Sequence, residues 1–221
     1  LGADIEAVLK VIGSDPLSAR VVDRAPEVVA GRGRVQAWVV GPGGGDDAGV
    51  QLAMALEDEV PVVIDASALQ HLPESFDLPV LLTPHAGELA QMMGVDRDAV
   101  EADLLGHVTS AAERWQATVL LKGSRTLVAT PGRTTRVNLS GSPWLGTAGA
   151  GDVLAGLAGS FLAAGADPHD AGSLAAFLHG AASVRANRGG PITASAVAAA
   201  LPATIADFRN GELTDVRDWR E

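Results

Sequence analysis

The chain has 221 residues, a formal net charge of −11 and no cysteine. That length suits one α/β domain with a sizeable core. The acidity disfavours nucleic acid and anionic membrane surfaces, which call for a basic face, and the absence of thiols excludes disulfides and thiolate metal sites.

Apolar residues make up 47% of the chain but aromatic residues only 4%, so the core is built mostly from Ala, Val and Leu. Such a core implies close helix–sheet packing, and 26 glycines add further close approaches. No secretory signal stands at the start. The longest apolar run, around 153–164, is too short and too rich in glycine for a membrane span. A cytoplasmic location is the default expectation.

In chain order, residues 4–9 suggest a short amphipathic piece, and 11–16 then begin without a connecting helix. Residues 36–40 read as a buried strand ended by the glycine-rich 41–45, with a helix over 47–56. Residues 60–65 form a second strand with Asp65 at its C-terminal end. Residues 79–83 form a third, closed by Pro84-His85-Ala86-Gly87-Glu88. Helices are expected over 87–93 and 97–116, and a fourth strand over 117–122. Residues 127–130 and 134–137 read as a hairpin around Pro131-Gly132. Helices over 151–164, 170–187 and 194–207 complete the pattern, and the tail beyond Phe208 is polar and loose.

Short apolar strands alternating with helices predict βαβ units and a mainly parallel sheet covered on both faces. Ligands in such folds bind beyond the carboxyl ends of the strands. The loops 41–45, 65–71, 83–88 and 122–126 all follow strands, so they point to one shared site.

Gly146-Thr147-Ala148-Gly149-Ala150-Gly151-Asp152 is the most informative stretch. A glycine loop entering a helix turns backbone N–H groups toward one point, which favours phosphate. Asp152 stands beside that point, where a carboxylate can take a proton from an attacking alcohol. The plain alternative is a glycine-rich helix entry with an early-turn acid. In Thr83-Pro84-His85-Ala86-Gly87-Glu88, Pro84 fixes a loop that presents the His85 imidazole to the strand ends, and substrate contact is the expectation there. Glu88 is either part of that site or the far member of a helix-capping box. Lys122 ends an apolar strand and reads as a phosphate contact, or as part of a solvated turn. The 41–45 loop permits close ligand approach, a tight turn, or both. Asp65 serves Mg²⁺ through water or caps the following turn. His71, His107, His169 and His179 read as surface or satisfied core histidines, and the alanines of 170–187 as packing.

These motifs occur together and in order in one family. The carrying segments are Val39-Val40-Gly41-Pro42-Gly43, Val62-Val63-Ile64-Asp65-Ala66, Leu82-Thr83-Pro84-His85-Ala86-Gly87-Glu88, Val119-Leu120-Leu121-Lys122-Gly123 and Thr147-Ala148-Gly149-Ala150-Gly151-Asp152-Val153-Leu154-Ala155-Gly156. Over about 35–205 the chain resembles the ADP-dependent (S)-NAD(P)H-hydrate dehydratases of the ribokinase-like superfamily. The segment around His85 is the specific one, whereas the glycine loop places only the superfamily.

The resemblance implies a single ribokinase-like domain, a three-layer α/β/α fold with a mainly parallel central sheet. It implies dehydration of hydrated NADH and NADPH (NADHX and NADPHX) at the expense of ADP, giving AMP and phosphate. By that likeness Asp152 is the catalytic base, and Gly43, His85 and Asp152 contact the hydrated dinucleotide. Lys122, Gly123, Ser124, Arg125 and Thr126, with Ala148, Gly149, Ala150 and Gly151, hold the adenine nucleotide. Mg²⁺ is expected with ADP, and a homo-oligomer, a tetramer, is expected as the assembly. The alternative is a ribokinase-like kinase for a thiazole or hydroxymethylpyrimidine alcohol. A nucleotide-binding protein without turnover is the third reading.

Three departures from the family stand out. Ala150 replaces a hydroxyl residue, and Ser67 stands where an acid is common after Asp65-Ala66. Upstream, a strand, a Gly-Ser-rich loop and an Ala-rich helix are expected before Val11, so residues read as missing between Lys10 and Val11.

Overall fold

The computed structural model describes residues 10–11, 15–31, 33–187 and 189–213. The expected amphipathic piece at 4–9 and the end of the tail lie outside the described residues. Two short strands, β1 (Lys10–Val11) and β2 (Val29–Ala30), pair in parallel across helix α1 (Asp15–Arg24).

The main sheet has six strands in sequence order: β3 (Trp38–Val40), β4 (Val62–Ile64), β5 (Val80–Leu82), β6 (Thr118–Leu121), β7 (Thr126–Ala129) and β8 (Arg136–Asn138). The first four run parallel and the last two form the antiparallel hairpin that the sequence predicts. The helices between the parallel strands are α2 (Ala48–Leu56), α3 (Ala86–Met93), α4 (Arg97–Ala102) and α5 (Leu104–Trp115). Each crossover steps the same way along the sheet, and a fixed right-handedness puts all of these helices on one face. The other face is left for α6 (Ala150–Ala163), α7 (Pro168–Ala186) and α8 (Ala194–Asn210).

Strand alternation divides the core accordingly. Val62, Ile64, Leu82, Val119 and Leu121 pack with Leu52, Leu89 and Val108 on one side. Val63, Leu81 and Leu120 pack with Leu154, Leu162 and Leu178 on the other. This is the two-residue period of a strand buried on both faces. Helix α6 lies so close to the sheet that a Cβ on Gly159 would stand 2.3 Å from a methyl of Val39. The alanines Ala171, Ala175, Ala176, Ala181 and Ala182 of α7 are all buried, as packing requires.

The single helix expected over 97–116 is two. Asp103 adopts φ −139° and ψ 74°, outside the helical region, and its carboxylate accepts from the Gly106 N–H at 2.9 Å. A side-chain acceptor so close in sequence competes with the backbone and starts a new helix. Past Phe208, α8 continues to Asn210 before Gly211 stops it.

Candidate active site

The loops that follow β3, β4, β5 and β6 meet at one end of the sheet, as parallel strands require. Asp65 follows β4 and is 1% exposed. Its Oδ1 lies 2.6 Å from Nζ of Lys122, which follows β6. The capping role expected for Asp65 gives way to this pair, since its side chain makes no cap bond to the turn Ala66–His71. Nζ of Lys122 also stands 3.7 Å from Glu88 Oε2. Two carboxylates therefore share one ammonium, and the Lys122 charge is already compensated within the protein. Its backbone N–H donates to the Pro84 carbonyl at 2.8 Å, which ties the His85 loop to β6.

Glu88 holds a second position at once. Its carboxylate accepts from the His85 N–H at 2.7 Å, and its own N–H donates to His85 Nδ1 at 3.1 Å. This is the capping box at the start of α3. An Nδ1 that accepts leaves the proton of a neutral ring on Nε2, so the exposed edge of His85 is a donor. Glu88 is thus a capping residue whose carboxylate also lies beside Lys122.

Gly149 has φ +83° and caps α6 without a side chain. Ala150 donates to the Thr147 carbonyl and Val153 to that of Gly149. The Gly151 and Asp152 N–H groups, in the first helical turn, have no carbonyl within the helix to bind, which leaves the glycine cradle open to an anion. That cradle adjoins the ion-pair cluster, because a Cβ on Gly151 would stand 3.4 Å from Lys122 Nζ. Ala150 is buried, so it offers a ligand its backbone alone. Asp152 and Ala148 are exposed, as are Gly123, Ser124 and Arg125; Thr126 opens β7 and its hydroxyl donates to the Gly123 carbonyl at 3.4 Å.

In the 41–45 loop Gly43, the expected ligand contact, differs from Gly41. Gly43 is exposed, at φ +68°, with open space where a Cβ would be. Gly41 has φ +117°, and a Cβ there would fall 1.7 Å from the Asp65 carbonyl oxygen. Gly41 therefore holds the loop against the Asp65 backbone, whereas Gly43, like Gly45, has open space beside it. Ser67, in place of an acid, donates to the Gly41 carbonyl at 3.0 Å and fastens the same two loops.

A cavity of about 1030 Å³ opens beside His85, with Ser67, Gln70, Glu88 and Arg114 among its walls. Asp152 is not part of its lining. The cavity therefore joins the imidazole loop to the 66–74 turn, while Asp152 stands on the Lys122 side.

Two features escaped sequence reasoning. His179 on α7 is 6% exposed, and its Nε2 has no hydrogen-bond partner, so it is not a satisfied core histidine. Burial pushes its pKa down to about 4, opposed by the backbone of Ala150 in the glycine loop. His169, by contrast, is buried with Nδ1 2.8 Å from the Thr130 hydroxyl. The second feature is the pairing of Asp65 with Lys122 across 57 positions, which no local spacing reveals.

No cluster of three carboxylates and histidines that could hold a metal is present among the described residues. No helix among them is long and apolar enough to cross a membrane.

The site can be set beside known proteins. Over 186 residues the chain is 42% identical to the bifunctional NAD(P)H-hydrate repair enzyme Nnr of Mycobacterium leprae, covering 78% of this chain and 39% of that protein. Over 187 residues it is 40% identical to the ADP-dependent (S)-NAD(P)H-hydrate dehydratase of Neisseria meningitidis serogroup B, covering 76% of this chain and 63% of that one. The chain thus spans under two thirds of the length of either relative. Its fold superposes with a TM-score of 0.83 on the ADP/ATP-dependent NAD(P)H-hydrate dehydratase of Bacillus subtilis, co-crystallised with ATP and Mg²⁺ and soaked with CoA. The identity there is 26%, with 91% of this chain and 82% of that one covered. The sequence profile described as NAD(P)H-hydrate dehydratase matches residues 5–202. With the glycine cradle, the capped His85 loop and the Lys122 cluster all inside that span, the chain belongs to the NAD(P)H-hydrate dehydratase family.

Proposed function

We propose that this protein dehydrates the S form of hydrated NADH and NADPH at the expense of ADP, releasing NAD(P)H, AMP and phosphate. The observation that supports the reading is the closeness of Gly151 to Lys122, where a Cβ on Gly151 would stand 3.4 Å from Nζ, so that the glycine loop lies beside the loop that follows β6. Hydroxide is a poor leaving group, and its phosphorylation makes elimination easy. The Asp152 carboxylate takes the proton of the substrate hydroxyl as its oxygen attacks the terminal phosphorus of ADP. AMP leaves, and the phosphorylated substrate then expels phosphate while the neighbouring ring carbon gives up a proton to water, so that the ring regains its double bond. Amides of 148–151 stabilise charge on the transferring group. Gly123, Ser124, Arg125 and Thr126 flank the nucleotide, and Gly43 and His85 contact the dinucleotide.

Lys122 acts in this reading as an organiser as much as a cation. Its charge is shared by Asp65 and Glu88, so the amides and a divalent ion must offset the ADP charge. Mg²⁺ binds with few carboxylates and several phosphate oxygens, which suits a site without a protein cage. Glu88 and Asp152 are the carboxylates that would face it, and it would supply neutralisation of the phosphates. The reading extends to a cytoplasmic homotetramer, and to residues missing near 10–11 in a single ribokinase-like domain. Sedimentation tests the tetramer, cell fractionation the location, and the gene sequence the missing residues. Product analysis tests the activity: incubation with NADHX and ADP yields NADH, AMP and phosphate. A stable phosphorylated alcohol would favour the kinase reading, and tight ADP binding without any product would favour a binding protein.

A further inference from the structure

The cavity beside His85 reaches well past the groups that the chemistry uses. Its far wall carries Arg114 and Trp115, at the C-terminal end of α5. The Arg114 guanidinium lies over the Trp115 ring at 4.6 Å from its centroid, and Nη1 donates to the Met92 carbonyl at 3.4 Å. Trp115 itself is buried, so it is a fixed platform.

Arg114 shares with Arg125 and Arg209 the lack of a carboxylate partner among the described residues, and alone of these three it lines the cavity. Arg97, Arg133, Arg136 and Arg185 each have a carboxylate within 4 Å. Arg114 has none among the described residues, although the protein carries a net charge of −11. An arginine held in place by a ring and a carbonyl, yet left without a counter-ion, is a preorganised site for a phosphate. Glu74 and Glu88 also line the cavity and disfavour an anion beside them, whereas Arg114 is its one arginine. At about 1030 Å³ the cavity is larger than one nucleotide ring needs.

We infer that this cavity takes the half of the dinucleotide remote from the reacting ring, with Arg114 binding one of its phosphates. The inference rests on the proposed function for the identity of the ligand. It adds a binding site at Arg114 and a direction: the dinucleotide enters past His85 and runs between the 66–74 turn and the end of α5.

The test is calorimetric titration of the intact protein with NADPH, NADH and, separately, ADP, without turnover. Arg114→Gln weakens NADPH binding by about tenfold or more and leaves ADP binding unchanged, which also reports a folded protein. Arg114→Lys recovers part of the loss, since it keeps the charge but not the planar fork. Arg97→Gln removes one charge elsewhere and changes nothing. A loss confined to NADPH assigns the 2′-phosphate, and an equal loss for NADH assigns the diphosphate. Unchanged binding of both reduced dinucleotides to Arg114→Gln overturns the inference, as does an equal loss of ADP binding. Arg114-dependent NADPH binding in a protein that fails to dehydrate NADHX would overturn the proposed activity and leave this site standing.

Discussion

Lys122 and Asp65 form a largely buried ion pair at 2.6 Å, with Asp65 the more enclosed partner, between the ends of two strands that are separated in the sheet by β5. The pair spans the strand that carries His85, and Glu88 completes it from α3. Removing one partner would leave a charge without compensation. Lys122→Met is expected to cost about 3–5 kcal/mol, and the double variant Lys122→Met with Asp65→Asn to recover part of that. Urea unfolding of the four proteins in a double-mutant cycle measures the coupling. A coupling near zero would mean that the pair does not organise the site.

His85 has two separable tasks, capping α3 and meeting the ligand. Asn is a strong N-cap, and its Oδ1 sits where Nδ1 of the imidazole does. His85→Asn is therefore expected to keep the melting temperature and raise KM for the dinucleotide, whereas His85→Ala loses about 1 kcal/mol as well. Equal KM values for wild type and His85→Asn would remove His85 from the substrate contacts.

Asp152 is exposed in the first turn of α6 and supports no core contact. Asp152→Asn is expected to leave thermal unfolding unchanged, to retain ADP binding, and to lower kcat by roughly 10²–10⁴-fold. Full activity in that variant would take the proton acceptor elsewhere.

His179 makes stability depend on acid. Its pKa in the folded protein, about 4, lies below the ordinary 6.5, so the unfolded chain takes up a proton first. The full contribution is present above pH 6.5 and is lost as pH falls toward 4, by roughly 3 kcal/mol at most. Urea midpoints between these limits should fall more steeply for wild type than for His179→Leu. Parallel slopes would show that the imidazole is not buried neutral.

Much of this molecule was legible in its sequence. The strand ends fell where apolar runs met Gly, Pro or an acid, and those boundaries placed the four loops at one edge. The hairpin followed from Pro131-Gly132, and the helix entry near 150 from the glycine loop. What stayed hidden depends on distance in space. Asp65 gave no sign of its partner 57 positions away. Gly41 and Gly43 looked alike, although only Gly41 abuts the Asp65 carbonyl. The break at Asp103 needed the side chain to win over helix continuity, and nothing in the periodicity of α7 marked His179 as an unpartnered group.

The most direct measurement follows the absorbance of the reduced nicotinamide ring as the protein is mixed with S-NADHX, ADP and Mg²⁺. A rise that requires ADP, with one AMP formed for each NADH, is the predicted result. No rise with full-length, folded, ADP-binding protein would contradict the dehydratase reading.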